Sequence, residues 1–314
     1  SAAALPHSRN SSYLWATRMG VGSRGLERLT HAASGMGVSS VMSQSVRDMI
    51  DNDVFRARAW SKREPNAQRK HATARATEPG ECLVLDGFEG PSITSPVDGS
   101  TYQLLAVDEA TSRAWGKNVK SHDTDSWFDF IASVVAEARA RGRDVKRVRF
   151  DQDSPFRSGN FEGLRARLAR ELKVHADLGG RHTHQDVGAV EVLNDVLTRM
   201  AEADIARAGK TKMYLLDARL YALYRLNRRP PRGSDTTREQ LFTNLPVDLS
   251  VTPPYLFGCD VSIANSVQAA RQGRGSLGRS SDGVLLGIEG KLYKVRTPSG
   301  HVARVKAVRP LNES

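Results

Sequence analysis

The sequence predicts an α/β protein: a layered core preceded by a small helical segment and followed by a small β-rich module. Three observations carry this. The middle of the chain reads βββαβαβαα, a three-strand meander before strands and helices alternate, which is a layer architecture. The first 80 residues are loosely helical and run into a polar, basic stretch (56–78) with no apolar period. After Arg228-Arg229-Pro230-Pro231 the apolar runs are short and punctuated by Gly, Pro and Ser. The expected divisions are 1–79, 80–230 and 231–314.

In order along the chain, Leu14, Trp15, Met19, Leu26 and Leu29, then Val41, Met42, Val46, Met49 and Ile50, predict two or three short helices around Gly20–Gly25. From 82 to 119 the period drops to two, giving strands in CLVLDGF, TYQLLAVDE and SRAWGKNV, with an Asp98-Gly99 turn between the first pair. Residues 123–141 open on Asp caps and space Trp127, Phe130, Ile131, Val134 and Ala138 by three and four, a helix that ends at Gly142. A strand at 145–150, a helix over 158–172, a short strand in KVHADL and helices over 187–207 and 212–227 follow. The tail strands are expected in TPPYLFGCDV, DGVLLGI, KLYKVRT and HVARVKAV.

The chain has 314 residues, 39% of them hydrophobic, enough for roughly two domains. Cys82 and Cys259 are the two cysteines, too few for a disulfide framework or a thiolate zinc cluster. That usage fits an intracellular protein. No run of 18 apolar residues occurs, so no membrane span is expected, and the start lacks the apolar stretch of an export signal. The first residue is not Met, and the sequence reads as an excised fragment. Net charge is +11, distributed as +6 over 1–80, +1 over 81–230 and +4 over 231–314. A near-neutral centre with basic flanks points to a phosphate-bearing partner.

Three carboxylates stand where an apolar element ends or a helix begins. Asp86 interrupts the first strand, Asp151 closes VKRVRF, and Glu191 lies at the margin of an apolar helical stripe beside Val190 and Leu193. Converging on one edge, they would repel one another unless hard divalent ions, Mg²⁺ or Mn²⁺, were held between them. Two such ions suit in-line phosphoryl transfer. The competing reading is that strand-end aspartates start turns.

In order, LVLDGFEGP, LLAVDEATSRAW, VRFDQDSPFRSGNF, THQDVGAVEVLN, YALYRLNRRP and YLFGCDV resemble the successive motifs of a copia-type retrotransposon integrase, of the retroviral integrase superfamily. The resemblance covers about residues 80–310. It implies a ribonuclease-H-like core with a mixed five-stranded sheet, and it assigns Asp86, Asp151 and Glu191 as a catalytic, metal-binding triad for two Mg²⁺ or Mn²⁺ ions. The implied activity is trimming and joining of the 3′ ends of element DNA, with DNA ends and target as partners, a homo-oligomeric state, no small-molecule cofactor, and location in the nucleus or a virus-like particle. Asn194, Arg228, Arg229, Lys291, Lys294, Arg304 and Lys306 are the expected nucleic-acid contacts.

Departures from the family pattern are expectations too. Thirty-nine residues separate Asp151 from Glu191 against the common thirty-five, and the extra four are assigned to EGLRARLAREL, where a longer helix leaves the triad intact. Val192-Leu193 replaces an Arg-Lys pair, which weakens DNA contact along that helix. YLWATRMGV and NDVFRARAW resemble a degenerate gag-pre-integrase zinc segment, but Ala16 stands at the His position and no cysteine follows, so structural zinc is not expected. An alternative function is a catalytically decayed nucleic-acid-binding remnant.

Other side chains have plainer readings. Asp108 and Glu109 suit a turn or ion pair, His175 an ordinary strand position, and Trp15, Trp115, Trp127, Phe128 and Phe130 the core. His182 and His184 with Asp186 have metal-like spacing in a loop, Asp153 could assist Asp151, and Gly273–Gly278 matches G-x-G-x-x-G without the strand and helix that motif needs. Arg228 and Arg229 also suit the C-terminal end of a helix dipole.

Overall fold

The computed structural model describes residues 11–39, 41–60, 76–90, 94–150, 161–178, 184–264 and 280–311. Three helices open the chain: α1 (Ser11–Met19), α2 (Ser23–Ala32) and α3 (Gln44–Trp60), with a two-residue strand β1 (Ala33–Ser34) after α2. Gly20, at φ +64°, turns the chain out of α1. The Asp51 carboxylate on α3 accepts from the Ser23 amide (2.8 Å) and hydroxyl (2.7 Å), capping α2 from outside. Trp15, Ala16, Met19, Leu26, Leu29 and Ile50 close one apolar cluster, joined by Val247 and Leu249 from much later in the chain. Ala16 is thus buried among hydrocarbon, where α1 packs into this cluster.

The central sheet follows: β2 (Cys82–Glu89), β3 (Tyr102–Asp108), β4 (Ala114–Val119), helix α4 (Thr124–Ala140), β5 (Arg147–Phe150), α5 (Phe161–Arg167), β6 (His175–Leu178), α6 (His184–Arg207) and α7 (Leu215–Asn227). The strand order is β4-β3-β2-β5-β6. β2 pairs antiparallel with β3 and β3 with β4, whereas β5 runs parallel to both β2 and β6. The switch follows from connection length: hairpins join the meander, and α4 and α5 supply the crossovers that parallel pairing needs. The mixed five-stranded sheet with helices is an α/β fold. Helices α4 and α5 cover one face with Trp127, Ile131, Val134 and Leu164. Helices α6 and α7 cover the other with Val190, Leu193, Leu197 and Leu223, so the inner strands are buried on both sides.

Local chemistry matches the predicted elements. The Asp123 carboxylate caps α4 by accepting from the Ser126 amide at 2.7 Å. Helix α5 widens into a π-helical turn at Leu168–Leu172, inside the stretch to which the four extra residues are assigned, and Lys173 (φ +58°) ends it. A 3-10 turn, Lys212–Tyr214, precedes α7.

Beyond α7 lie α8 (Arg238–Thr243), β7 (Val247–Asp248), which pairs parallel with β1, and five strands: β8 (Asp260–Ala264), β9 (Ser280–Glu289), β10 (Leu292–Arg296), β11 (Val302–Val305) and β12 (Val308–Pro310). These form a separate antiparallel sheet in the order β11-β10-β9-β8-β12. The expected C-terminal β module is present. Its apolar cluster contains Val261, Leu285 and Val295 together with Ala201, Ala218, Tyr221 and Tyr224 of α6 and α7, so it crosses the expected division at 230.

Helix α7 is buried along all but one of its positions. Its polar side chains each reach a different part of the chain. Asp217 accepts from Lys294 Nζ on β10 at 3.1 Å and from the Ser95 hydroxyl at 2.7 Å. Arg219 faces α6 and β3. Arg225 pairs with Asp204 and donates to the Arg18 carbonyl in α1 at 3.0 Å. Asn227 bonds both the amide and the carbonyl of Ala114 in β4. Burial of these groups is tolerable because each finds a partner. Gly116 sets how closely β4 meets this helix: a Cβ there would lie 3.0 Å from methyls of both Leu220 and Leu223. No helix among the described residues is long and apolar enough to cross a membrane.

Candidate active site

Strand β2 is buried from Cys82 to Leu85 and becomes half-buried at Asp86, just past the last residue paired with β5, while it stays paired with β3 as far as Glu89. One Asp86 oxygen accepts from the Gly87 amide at 2.8 Å, and the other accepts from the Asn194 side-chain amide. Asn194 lies on α6, which Val190, Leu193 and Leu197 press against Val84, Leu105 and Val107. Glu191 sits three residues before Asn194, on the same face of that helix, and is exposed. The Asn194 bond therefore ties α6 to β2 at Asp86, with Glu191 one helical turn away on α6. In the parallel pairing of β2 and β5, Leu85 is opposite Phe150, and each is followed in sequence by an aspartate. Asp151 itself lies outside the described residues, as do Asp153, His182 and the Gly273–Gly278 motif; no group of three or more His, Cys, Asp or Glu suited to a metal occurs among the described residues. As donors, Asp86 and Glu191 offer hard carboxylate oxygens, one half-buried and one open to solvent, a set that fits Mg²⁺ or Mn²⁺ and not a soft thiophilic ion.

Asn194, expected at DNA, is instead engaged on both ends of its amide. Its Oδ1 and backbone carbonyl accept from the two terminal nitrogens of Arg219, the latter at 3.0 Å. Arg219 Nε donates to Gln103 Oε1 at 2.9 Å, and Nη1 also donates to the Thr198 hydroxyl. Sequence reasoning missed Arg219 and Gln103. The available signal was a glutamine inside the apolar run TYQLLAV and an arginine inside the apolar helix after Leu215.

The other expected nucleic-acid residues divide. Arg228, Lys291, Lys294 and Arg304 line one cleft of about 790 Å³ between β4, α7 and the β9–β10 turn, along with Glu137, Glu239 and Glu289. Lys291 and Lys306 are exposed. Arg304 is exposed but donates to Glu289 at 2.6 Å. Arg228 closes α7: it donates to the Tyr224 carbonyl at 3.1 Å and stacks 3.5 Å from the Tyr224 ring, which is the capping geometry. Arg229 contacts the Met200 sulfur at 3.6 Å. Lys294 is withdrawn from the surface: it is 7% exposed and ion-paired with Asp217.

The plainer readings agree with the geometry. Asp108 is fully buried and accepts from the Gly80 amide and from both the amide and hydroxyl of Thr111, closing a turn; burial pushes its carboxyl up despite those bonds. Glu109 pairs with Arg149 at 3.6 Å. His175, exposed on β6, bonds Asp177 at 2.8 Å. Burial, with Glu109 adding to it, pushes the Cys82 thiol up to about 11, so it is a protonated core group at neutral pH.

No family model matches the chain, and no curated protein matches it. Among solved structures, the chain is similar to a cryo-EM structure of the simian T-cell lymphotropic virus intasome in complex with the PP2A regulatory subunit B56 gamma. The identity is 14% and the TM-score 0.44, over 97% of this chain and 100% of that chain. At that score the likeness carries neither fold nor chemistry across.

Proposed function

We propose that the chain is a copia-type retrotransposon integrase with a ribonuclease-H-like core, a metal-dependent enzyme that trims the 3′ ends of element DNA and joins them to target DNA. The observation that carries the reading is the bond from Asn194 on α6 to Asp86 on β2, one helical turn from Glu191, beside a parallel strand whose next residue is Asp151. The sheet order, an antiparallel meander followed by two parallel strands on the side of β2, supports the same core. Asp86, Asp151 and Glu191 would hold Mg²⁺ or Mn²⁺, which when bound supplies charge stabilisation and activation of water or a 3′-hydroxyl. Asp86 is kept in one orientation by Asn194 and by the Gly87 amide. Exposed Lys291, Arg304 and Lys306 on the C-terminal sheet are the groups that would neutralise DNA phosphates, so binding falls steeply with salt and reads little sequence.

One observation favours the decayed, non-catalytic reading. Val192 is 57% exposed beside Glu191, an apolar side chain facing solvent where the resemblance has a cation. Strand transfer with Mn²⁺ decides between them, comparing wild type with Glu191→Gln. Product from wild type alone establishes catalysis. Equal background product from both leaves only the binding protein.

A further inference from the structure

The amides of Asn194 and Gln103 have their directions set by one buried group. Arg219 is fully buried and carries only N–H donors. Those donors go to Gln103 Oε1, Thr198 Oγ1, and the backbone and side-chain oxygens of Asn194. The Asn194 amide has one accepting and one donating end. With its oxygen turned to the guanidinium, its NH₂ faces Asp86 and donates to the carboxylate. Reversed, it would set N–H against N–H at Arg219 and oxygen against oxygen at Asp86. Gln103 obeys the same rule: Oε1 accepts from Arg219, and its NH₂ donates to Asn118 Oδ1 (2.8 Å) and the Leu216 carbonyl (3.2 Å). The Phe88 ring, 3.6 Å from the guanidinium carbon, closes one face of the group.

We propose that Arg219 is a positioning residue of the candidate active site: it fixes which end of Asn194 meets Asp86 and thereby holds that carboxylate in one orientation. The inference rests on the strand-transfer reading above and extends it to a side chain that touches neither DNA nor solvent. Groups that orient a ligating carboxylate set its affinity for a hard cation, so the effect of Arg219 is expected at Asp86.

The test uses the full chain, with Mn²⁺ alone as the first probe and duplex DNA as the second. Mn²⁺ affinity is read by electron paramagnetic resonance, and kcat and KM for DNA by strand transfer, in wild type, Arg219→Lys, Asn194→Ala and the double variant. Arg219→Lys keeps the charge and loses the fork. Each single variant is expected to weaken Mn²⁺ binding and lower kcat about 10- to 100-fold, the range for groups that orient a ligand, with KM for DNA unchanged. The double variant is expected to be no worse than Asn194→Ala, because Arg219 acts through that residue. Additive losses, or wild-type Mn²⁺ affinity in Arg219→Lys, overturn the proposal. If Arg219→Lys does not fold, Asn194→Ala decides, and unchanged Mn²⁺ affinity there overturns it. Loss of Mn²⁺ binding and activity in Asp86→Asn but not in Arg219→Lys removes the positioning role and leaves the strand-transfer reading standing. Inactive wild type whose Mn²⁺ binding ignores Asp86→Asn removes that reading itself.

Discussion

Replacing Lys294 by Met separates a stabilising role from a DNA-binding one. The ammonium sits 3.1 Å from Asp217, whose side chain has no solvent exposure, and Glu289 lies 3.8 Å away on the outer side. Removing one partner of a buried pair leaves an uncompensated charge, at a cost of about 3 to 5 kcal/mol. Burial already pushes the Asp217 carboxyl up despite Lys294 and the Ser95 hydroxyl, so without the lysine its proton is held more tightly still. An acid whose folded pKa lies above its unfolded value contributes stability below the unfolded value and loses it as pH rises through the folded one. The deficit of Lys294→Met is therefore expected to grow between about pH 4 and neutrality. Adding Asp217→Asn keeps an acceptor for Ser95 and removes the charge, and is expected to recover most of the loss. Urea unfolding followed by tryptophan fluorescence measures all three variants. A single-variant cost under about 1 kcal/mol, or a double variant no more stable than the single, would refute the reasoning. In parallel, Lys294→Met is expected to leave the salt slope of DNA binding unchanged, whereas Lys291→Gln and Lys306→Gln each lower it by about one.

Two more predictions follow from packing. Leu29, fully buried between the opening helices and Val247, is expected to cost about 2 to 5 kcal/mol on change to Ala, and limited proteolysis should then cut the first 60 residues before the central sheet; simultaneous cleavage of both would show that the opening helices do not loosen by themselves. Cys82, whose thiol burial pushes from the ordinary 9.0 up to about 11, is expected to resist alkylation in the native state, and its ionisation to cost the fold about 3 kcal/mol between pH 9 and 11. A pH profile in that range identical to that of Cys82→Ala contradicts this.

The central layers were legible because their signals are local. Asp123 before an apolar three-and-four spacing is a helix start whatever surrounds it, and the period-two runs from 82 to 119 became β2, β3 and β4. Asp86 and Glu191 were visible as carboxylates interrupting apolar patterns. What failed was non-local. Alternation in KLYKVRT turns Tyr293 and Val295 inward and Lys294 outward, but β9 carries an extra residue opposite this point: Lys294 pairs with Gly287 and Val295 with Leu285. That bulge breaks the period, and α7 lies close enough for Asp217 to receive the lysine. The burial of Arg219, Arg225 and Asn227 was not legible either, since nothing along a sequence reveals that a helix is enclosed on every side.

That enclosure of α7 bears on how such a chain can be recombined. A module exchanged for another must bring its own counterpart to a fixed set of hooks: a lysine for Asp217 from the basic sheet, a carbonyl for Arg225 from the opening helices, and an open strand edge for Asn227 from the meander. Swapping the C-terminal sheet alone would strand a carboxylate in hydrocarbon. Exchange of any one part therefore breaks a polar pair that α7 holds, whereas changes on surfaces away from α7 leave those pairs intact.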